Sequence, residues 1–199
     1  MAPVEGELAR REVVGALLAD RGGLLVVSGL GAPTWDCTAA GDSDLTFPMW
    51  GGMGGAAMVG LGLALARPDR RVLVVTGDGE MLMGLGALAT IAVQRPANLG
   101  IAVLDNERYG ETGMQESHTA AGVDLAAVAV GAGFAAAVTA WDAASLREAV
   151  QLVREAPGPA LGVFKVAATR APLVMPPRDG AHLVARFREA LLGPESHAE

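Results

Sequence analysis

Few features of this chain would staple it, anchor it in a bilayer or bind it to a polyanion. It has one cysteine, Cys37, in 199 residues, which excludes a disulfide framework or a cysteine-ligated iron–sulfur cluster within the sequence. Lys and Arg total 15 against 22 Asp and Glu, a net charge of −7 with no basic cluster, so nucleic acid is not an expected partner. The most apolar stretches, 51–66 and 126–138, are rich in Gly and Ala and fall short of a span of roughly 20 residues. No membrane segment is therefore expected. Met1-Ala2-Pro3-Val4-Glu5 does not read as a secretory signal, and the expectation is a soluble, cytoplasmic protein. Aromatic residues are scarce at 4%, while 51% of the chain is hydrophobic, mostly Ala, Val and Leu, with 27 glycines. That composition suits an α/β protein whose parallel sheet is covered on both faces, and the length suits one domain over residues 1–199.

Periodicity gives the order of elements. Leu8, Val13 and Leu17 recur at helical spacing within 5–20. The run 24–28 reads as a strand, followed by a turn at Gly29–Pro33, a loop at 42–50 and a small-residue helix at about 54–66. A strand to Thr76, a helix over 81–94 and a strand over 99–104 come next, then a polar loop over 106–122. Further signals cover 125–130, 135–138, 143–155 and 161–166. Residues 172–177 look like a rigid extended linker before a last helix at 182–192, with 194–199 as a frayed tail. Strands alternating with helices predict a doubly wound, mostly parallel sheet.

The most informative residues are Gly77-Asp78-Gly79 and, after a gap of 26 residues (80–105), Asn106. Each group ends an apolar run, 71–76 and 99–104. Two parallel strands would thus deliver a carboxylate and an amide oxygen to one sheet edge, a hard-oxygen pair suited to Mg²⁺ or Ca²⁺. Glycines beside Asp78 permit close approach of a phosphate, and a helix starting near Met81 would aim free N–H groups at that anion. A dinucleotide-binding turn fits poorly, because no G-x-G-x-x-G opens the first strand–helix unit.

This pattern resembles the cofactor-anchoring motif of the thiamine-diphosphate enzymes, which is GDG, somewhat under thirty residues, then Asn. The resemblance implies a thiamine-diphosphate-binding fold. It also implies Mg²⁺ held by Asp78, Asn106 and the carbonyl of Arg108. Gly77, Gly79 and Glu80 would lie beside the diphosphate, and Tyr109 and Gly110 over the cofactor. In the decarboxylase branch, a segment similar to Trp50-Gly51-Gly52-Met53-Gly54-Gly55 holds the aminopyrimidine. Met53 is then the apolar wedge that bends the cofactor, and the Gly51 carbonyl accepts from its amine. Gly31 and Ala32, in the turn after the first strand, are candidates for diphosphate contacts. In the loop 109–119, Glu111 and His118 are candidate catalytic groups to meet substrate or shuttle a proton. Gln115 is a further hydrogen-bonding candidate there, and Thr112 and Ser117 are candidates for an anionic head group.

In this family a glutamate on a separate pyrimidine-binding domain activates the cofactor. The chain is too short for two such domains, and Glu5, Glu7 and Glu12 lack a plausible setting. The expectation is a hetero-oligomer whose pyrimidine-binding (α) subunit supplies that glutamate. The order of segments is similar to the diphosphate-binding (β) half of the sulfopyruvate and phosphonopyruvate decarboxylases. Glu80, Asp105 and Gly52 depart from the usual pattern. The implied function is decarboxylation of a small anionic 2-oxoacid, phosphonopyruvate or sulfopyruvate, to an aldehyde and CO₂. An acetolactate-synthase-like carboligase subunit and a non-catalytic cofactor-binding or regulatory subunit stay open as alternatives.

Overall fold

Four runs of Val, Leu, Ile, Ala and Gly carry the architecture, because a strand covered on both faces needs apolar side chains at nearly every position. In the computed structural model, which describes residues 8–193 and Ser196, the elements along the chain are as follows. They begin with α1 (Arg10–Leu18), β1 (Leu25–Ser28), α2 (Ala32–Ala39), β2 (Thr46–Pro48), α3 (Ala56–Ala66) and β3 (Val72–Gly77). After these come α4 (Asp78–Met83), α5 (Gly86–Gln94), β4 (Leu99–Asp105), β5 (Arg108–Tyr109) and β6 (Gln115–Glu116). A 3-10 turn at His118–Ala121 leads to α6 (Leu125–Ala132), β7 (Ala136–Ala140), α7 (Ala143–Glu155), β8 (Ala160–Lys165) and α8 (Gly180–Leu192).

Six strands form one sheet in the order β2-β1-β3-β4-β8-β7, and every pairing is parallel. The expected doubly wound sheet is the fold observed. Side chains alternate across it as the pleat requires. Val72 and Val74 of β3 join the core under α3, α5 and α6, whereas Leu73 and Val75 join the one under α1, α2 and α7. Small residues let the helices sit close: a Cβ on Gly60 of α3 would fall 2.2 Å from Val74 Cγ2. Among the described residues, no helix is long and apolar enough to cross a membrane.

The structure corrects several sequence boundaries. The single helix expected over 81–94 is two. α4 already starts at Asp78, and the chain breaks at Gly84-Leu85 before α5. Two glycines make the break cheap, and contact fixes it, since a Cβ on Gly84 would lie 2.1 Å from the Gly54 carbonyl oxygen. The segment after the Gly29–Pro33 turn is α2, and the loop at 42–50 contains β2. β2 pairs with β1 at the sheet edge, where a strand tolerates Pro48. The polar loop at 106–122 holds the β5–β6 hairpin and the 3-10 turn. The start of the first helix at 5–7 and most of the tail at 194–199 lie outside the described residues.

Candidate functional site

The chain leaves β1 toward β2 and returns to β3 on the other side of β1, so the winding reverses between β1 and β3. At such a switch point the loops beyond the carboxyl ends of the strands part and leave a crevice. Here they enclose a cavity of about 430 Å³, within the range of small-molecule sites. Its walls include Gly77, Asp78, Gly79 and Glu80 from the end of β3, and Asn106, Arg108, Tyr109, Gly110 and Glu111 from the segment after β4. Ala32 and Met53 contribute from the segments after β1 and β2. Gly31, Gly51 and His118 do not line it. Gly31 nonetheless has a role at the rim: its φ is +78°, and a Cβ there would fall 2.5 Å from a Glu111 carboxylate oxygen.

Asp78 is the most constrained residue of the site. It is 1% exposed, and the Ser117 hydroxyl donates to its Oδ2, with Thr119 Oγ1 a longer 3.4 Å away. Neither side chain addresses Oδ1. Thr119 donates to Asp105 Oδ1 at 2.8 Å, and Lys165 donates to Asp105 Oδ2 at 3.0 Å. Burial pushes the Asp78 carboxyl up to about 6; the Ser117 hydrogen bond opposes this, and the nearby Asp105 charge adds to it. A desolvated carboxylate of this kind gains from a neighbouring cation.

Asn106 Oδ1 accepts from the Arg108 amide at 3.0 Å, which fixes its orientation and leaves a second lone pair. Arg108 stands opposite Glu116 in the hairpin. The Ser117 amide donates to the Glu107 carbonyl at 3.0 Å, so Arg108 and Glu116 form a non-hydrogen-bonded pair and the ladder makes no demand on the Arg108 carbonyl. Among the described residues, no cluster of three His, Cys, Asp or Glu side chains could hold a metal. The donors assembled at this cavity are instead a carboxylate, an amide oxygen and a carbonyl, a set that fits Mg²⁺ once phosphate oxygens complete it.

Glu80 is 3% exposed and packs where Gly29 has no Cβ. Burial pushes its carboxyl up, while the Thr76 hydroxyl, at 2.9 Å from Oε2, and the amides of Ala56, Gly54 and Leu30 favour the charged form. Oε1 has no partner of ordinary hydrogen-bond geometry among the described residues. Tyr109 lies over Gly79 so closely that a Cβ there would sit 2.6 Å from its ring. The residue named in the sequence as a proton shuttle, His118, is exposed, and it is its neighbours Ser117 and Thr119 that are buried against Asp78. Ser117, expected to meet an anionic head group, is thus committed to the carboxylate.

Residues that sequence reasoning missed also line the cavity, among them Arg10, Trp35, Thr169, Arg170, Ala171 and Leu173. Thr169 and Arg170 lie between β8 and the 172–177 stretch that reads as a linker. That stretch is fastened down: Arg11 donates to the Pro172 carbonyl, and Trp50 Nε1 donates to the Pro177 carbonyl at 3.0 Å. Only the Arg10-Arg11 doublet hinted at this anchor, and its partner, Asp36, is 25 residues away from Arg11.

The family model "Thiamine pyrophosphate enzyme, C-terminal TPP binding domain" matches residues 35–163. The sulfopyruvate decarboxylase subunit beta of Methanothermobacter thermautotrophicus is 47% identical over 110 residues, 55% of this chain and 58% of that protein. A phosphonopyruvate decarboxylase of Streptomyces hygroscopicus is 39% identical over 170 residues, 85% of this chain and 42% of that protein. The chain spans about half the length of these curated relatives. In fold it is similar to the crystal structure of benzoylformate decarboxylase from Polynucleobacter necessarius, with a TM-score of 0.70 at 19% identity, covering 83% of this chain and 34% of that one.

Proposed function

The chain belongs to the thiamine pyrophosphate enzymes, whose C-terminal cofactor-binding domain it carries, and from that premise we propose that it is the diphosphate-binding β subunit of a decarboxylase of small anionic 2-oxoacids. The observation that carries this reading is the convergence of Asp78, Asn106 and Arg108 on one cavity at the switch point of the sheet. Asp78, the Asn106 side-chain oxygen and the Arg108 carbonyl would hold Mg²⁺, which would offset the charge of the diphosphate. Gly77 keeps the backbone bare where the diphosphate would approach, and Gly79 lets the Tyr109 ring close over it. Met53, which lines the cavity from the opposite loop, would pack against the cofactor. When bound, thiamine diphosphate supplies the electron sink for the carbon–carbon bond that breaks as CO₂ leaves.

The protein's own part is to bind, orient and exclude water. Glu111, which approaches Gly31 closely at the rim, is the carboxylate that would exchange a proton with substrate. A pyrimidine-binding partner subunit contributes the glutamate that activates the cofactor, so the site is completed only in a hetero-oligomer. Sulfopyruvate and phosphonopyruvate are the substrates that the names of the relatives support. Their tails are both tetrahedral oxyanions, and the complex purified through this chain is expected to convert one of them to CO₂ and the aldehyde. Asp78→Ala abolishes both that turnover and metal-dependent cofactor binding. Full activity in Asp78→Ala, or an acyloin as the main product, would contradict the reading.

A further inference from the structure

Three arginines line the cavity: Arg10, Arg108 and Arg170. Two are committed to the protein. Arg10 pairs with Asp36 and donates to the Thr169 carbonyl, and Arg108 pairs with Glu116 at 3.0 Å and reaches the Glu107 carbonyl. Arg170 takes no hydrogen bond or ion pair among the described residues, and it is exposed.

The segment that bears it is anchored. It leaves the end of β8, where the Ala167 amide donates to the Leu8 carbonyl at 3.0 Å. Arg10 and Arg11 hold the carbonyls of Thr169 and Pro172, and Asp36, whose side chain is fully buried, holds both arginines. Trp50, in the loop after β2, fastens Pro177. In the sheet order β2-β1-β3-β4-β8, a segment running from β8 to the loop after β2 must pass the carboxyl ends of β4, β3 and β1. It is therefore a strap over the cavity, and Thr169, Arg170, Ala171 and Leu173 face that cavity. The only cation on it is the one without a protein partner.

We propose that Arg170 binds the anionic tail of the substrate, a phosphonate or sulfonate, and sets the preference for it over an uncharged 2-oxoacid; this rests on the decarboxylase reading. A guanidinium presents a planar fork of donors that matches two oxygens of a tetrahedral oxyanion, and it keeps its charge at every physiological pH. The Asp36–Arg10–Arg11 anchor fixes the backbone on either side, so the order gained on binding is confined to the Arg170 side chain.

The test uses the intact complex with its partner and measures kcat and KM for sulfopyruvate, phosphonopyruvate and pyruvate. Affinity for thiamine diphosphate is followed separately by fluorescence quenching. Arg170→Gln is expected to raise KM for the anionic acid by roughly 10- to 100-fold, the loss of charged hydrogen bonds. The change in kcat is much smaller, and selectivity against pyruvate falls by a similar factor. Arg170→Lys restores part of it, because it returns the charge without the fork. An unchanged KM in Arg170→Gln overturns the assignment while leaving the decarboxylase reading intact. So does a loss of thiamine diphosphate affinity in step with KM, which would place Arg170 on the diphosphate. A wild-type complex that binds cofactor and turns over neither acid overturns both.

Discussion

Removing one hydroxyl, in Ser117→Ala, probes the metal site without touching a metal ligand. Ser117 is 3% exposed and donates to Asp78 Oδ2; its oxygen also lies 2.8 Å from Thr119 Oγ1. Thr119 has one hydroxyl proton, and at 2.8 Å from Asp105 Oδ1 it is spent there. Ser117 is therefore the side chain that supplies Asp78 with a proton donor, and Thr119 cannot replace it without abandoning Asp105. A hydrogen bond to a charged group contributes about 1.5–3 kcal/mol. Its loss raises the Asp78 carboxyl by roughly one to two pH units, from a value already near 6. Metal must then displace a proton at neutral pH, so Mg²⁺ affinity at pH 7 falls by roughly 2- to 10-fold. Calorimetric titration of Mg²⁺ in saturating thiamine diphosphate across pH 6 to 9 reads this directly. The loss should be largest at low pH and shrink as pH rises past the elevated value. A general packing defect would weaken binding equally at every pH. Undiminished affinity at pH 7, or a pH profile that does not move, would refute the reasoning.

Two further outcomes follow from the same geometry. In the metal-free protein the Asp78 carboxyl, at about 6, lies above its ordinary value of 3.8, so the fold favours the protonated form. Its contribution to stability is therefore fully present below about pH 4 and is lost, by about 3 kcal/mol, as pH rises through about 6. Denaturant melts in chelator should show Asp78→Asn gaining on wild type over that window, and a stability difference that stays constant or moves in favour of wild type as pH rises would contradict it. Gly84→Ala drives a Cβ into the Gly54 carbonyl, 2.1 Å away. It should cost about 1–3 kcal/mol of stability and weaken thiamine diphosphate binding by displacing the Met53 loop. A melting temperature and cofactor affinity equal to those of wild type would count against that contact.

What the sequence revealed, it revealed through short-range patterns. Val72–Val75 and Leu99–Leu104 carry only apolar residues and glycine, as strands buried on both faces require, and both emerged as central strands. Asp78 and Asn106 were legible because each follows such a strand directly, so the topology alone brings them to one edge. The break between α4 and α5 was not legible, since Met81–Gln94 keeps helical apolar spacing throughout and the interruption comes from contact with Gly54. In the loop 109–119 the sequence offers Glu111 and His118 as titratable candidates. The hairpin and the 3-10 turn instead bury Ser117 and Thr119, on either side of His118. The strap escaped notice for a similar reason: prolines at 172, 176 and 177 read as a linker, and the carbonyls that fasten it have no signature in sequence. Asp105, a departure from the family pattern, is explained by Lys165, which offsets its charge at 3.0 Å.

The central claim is that this chain forms the diphosphate half of a thiamine-diphosphate site whose other half lies on a partner. Native mass measurement of the complex purified through this chain from its source cells, followed by denaturing identification of every component, tests it most directly. The expected result is a second polypeptide of comparable size together with thiamine diphosphate and Mg²⁺, with both small components lost in Asp78→Ala. A homo-oligomer that holds the cofactor with no partner, or an Asp78→Ala complex that retains it, would contradict the account.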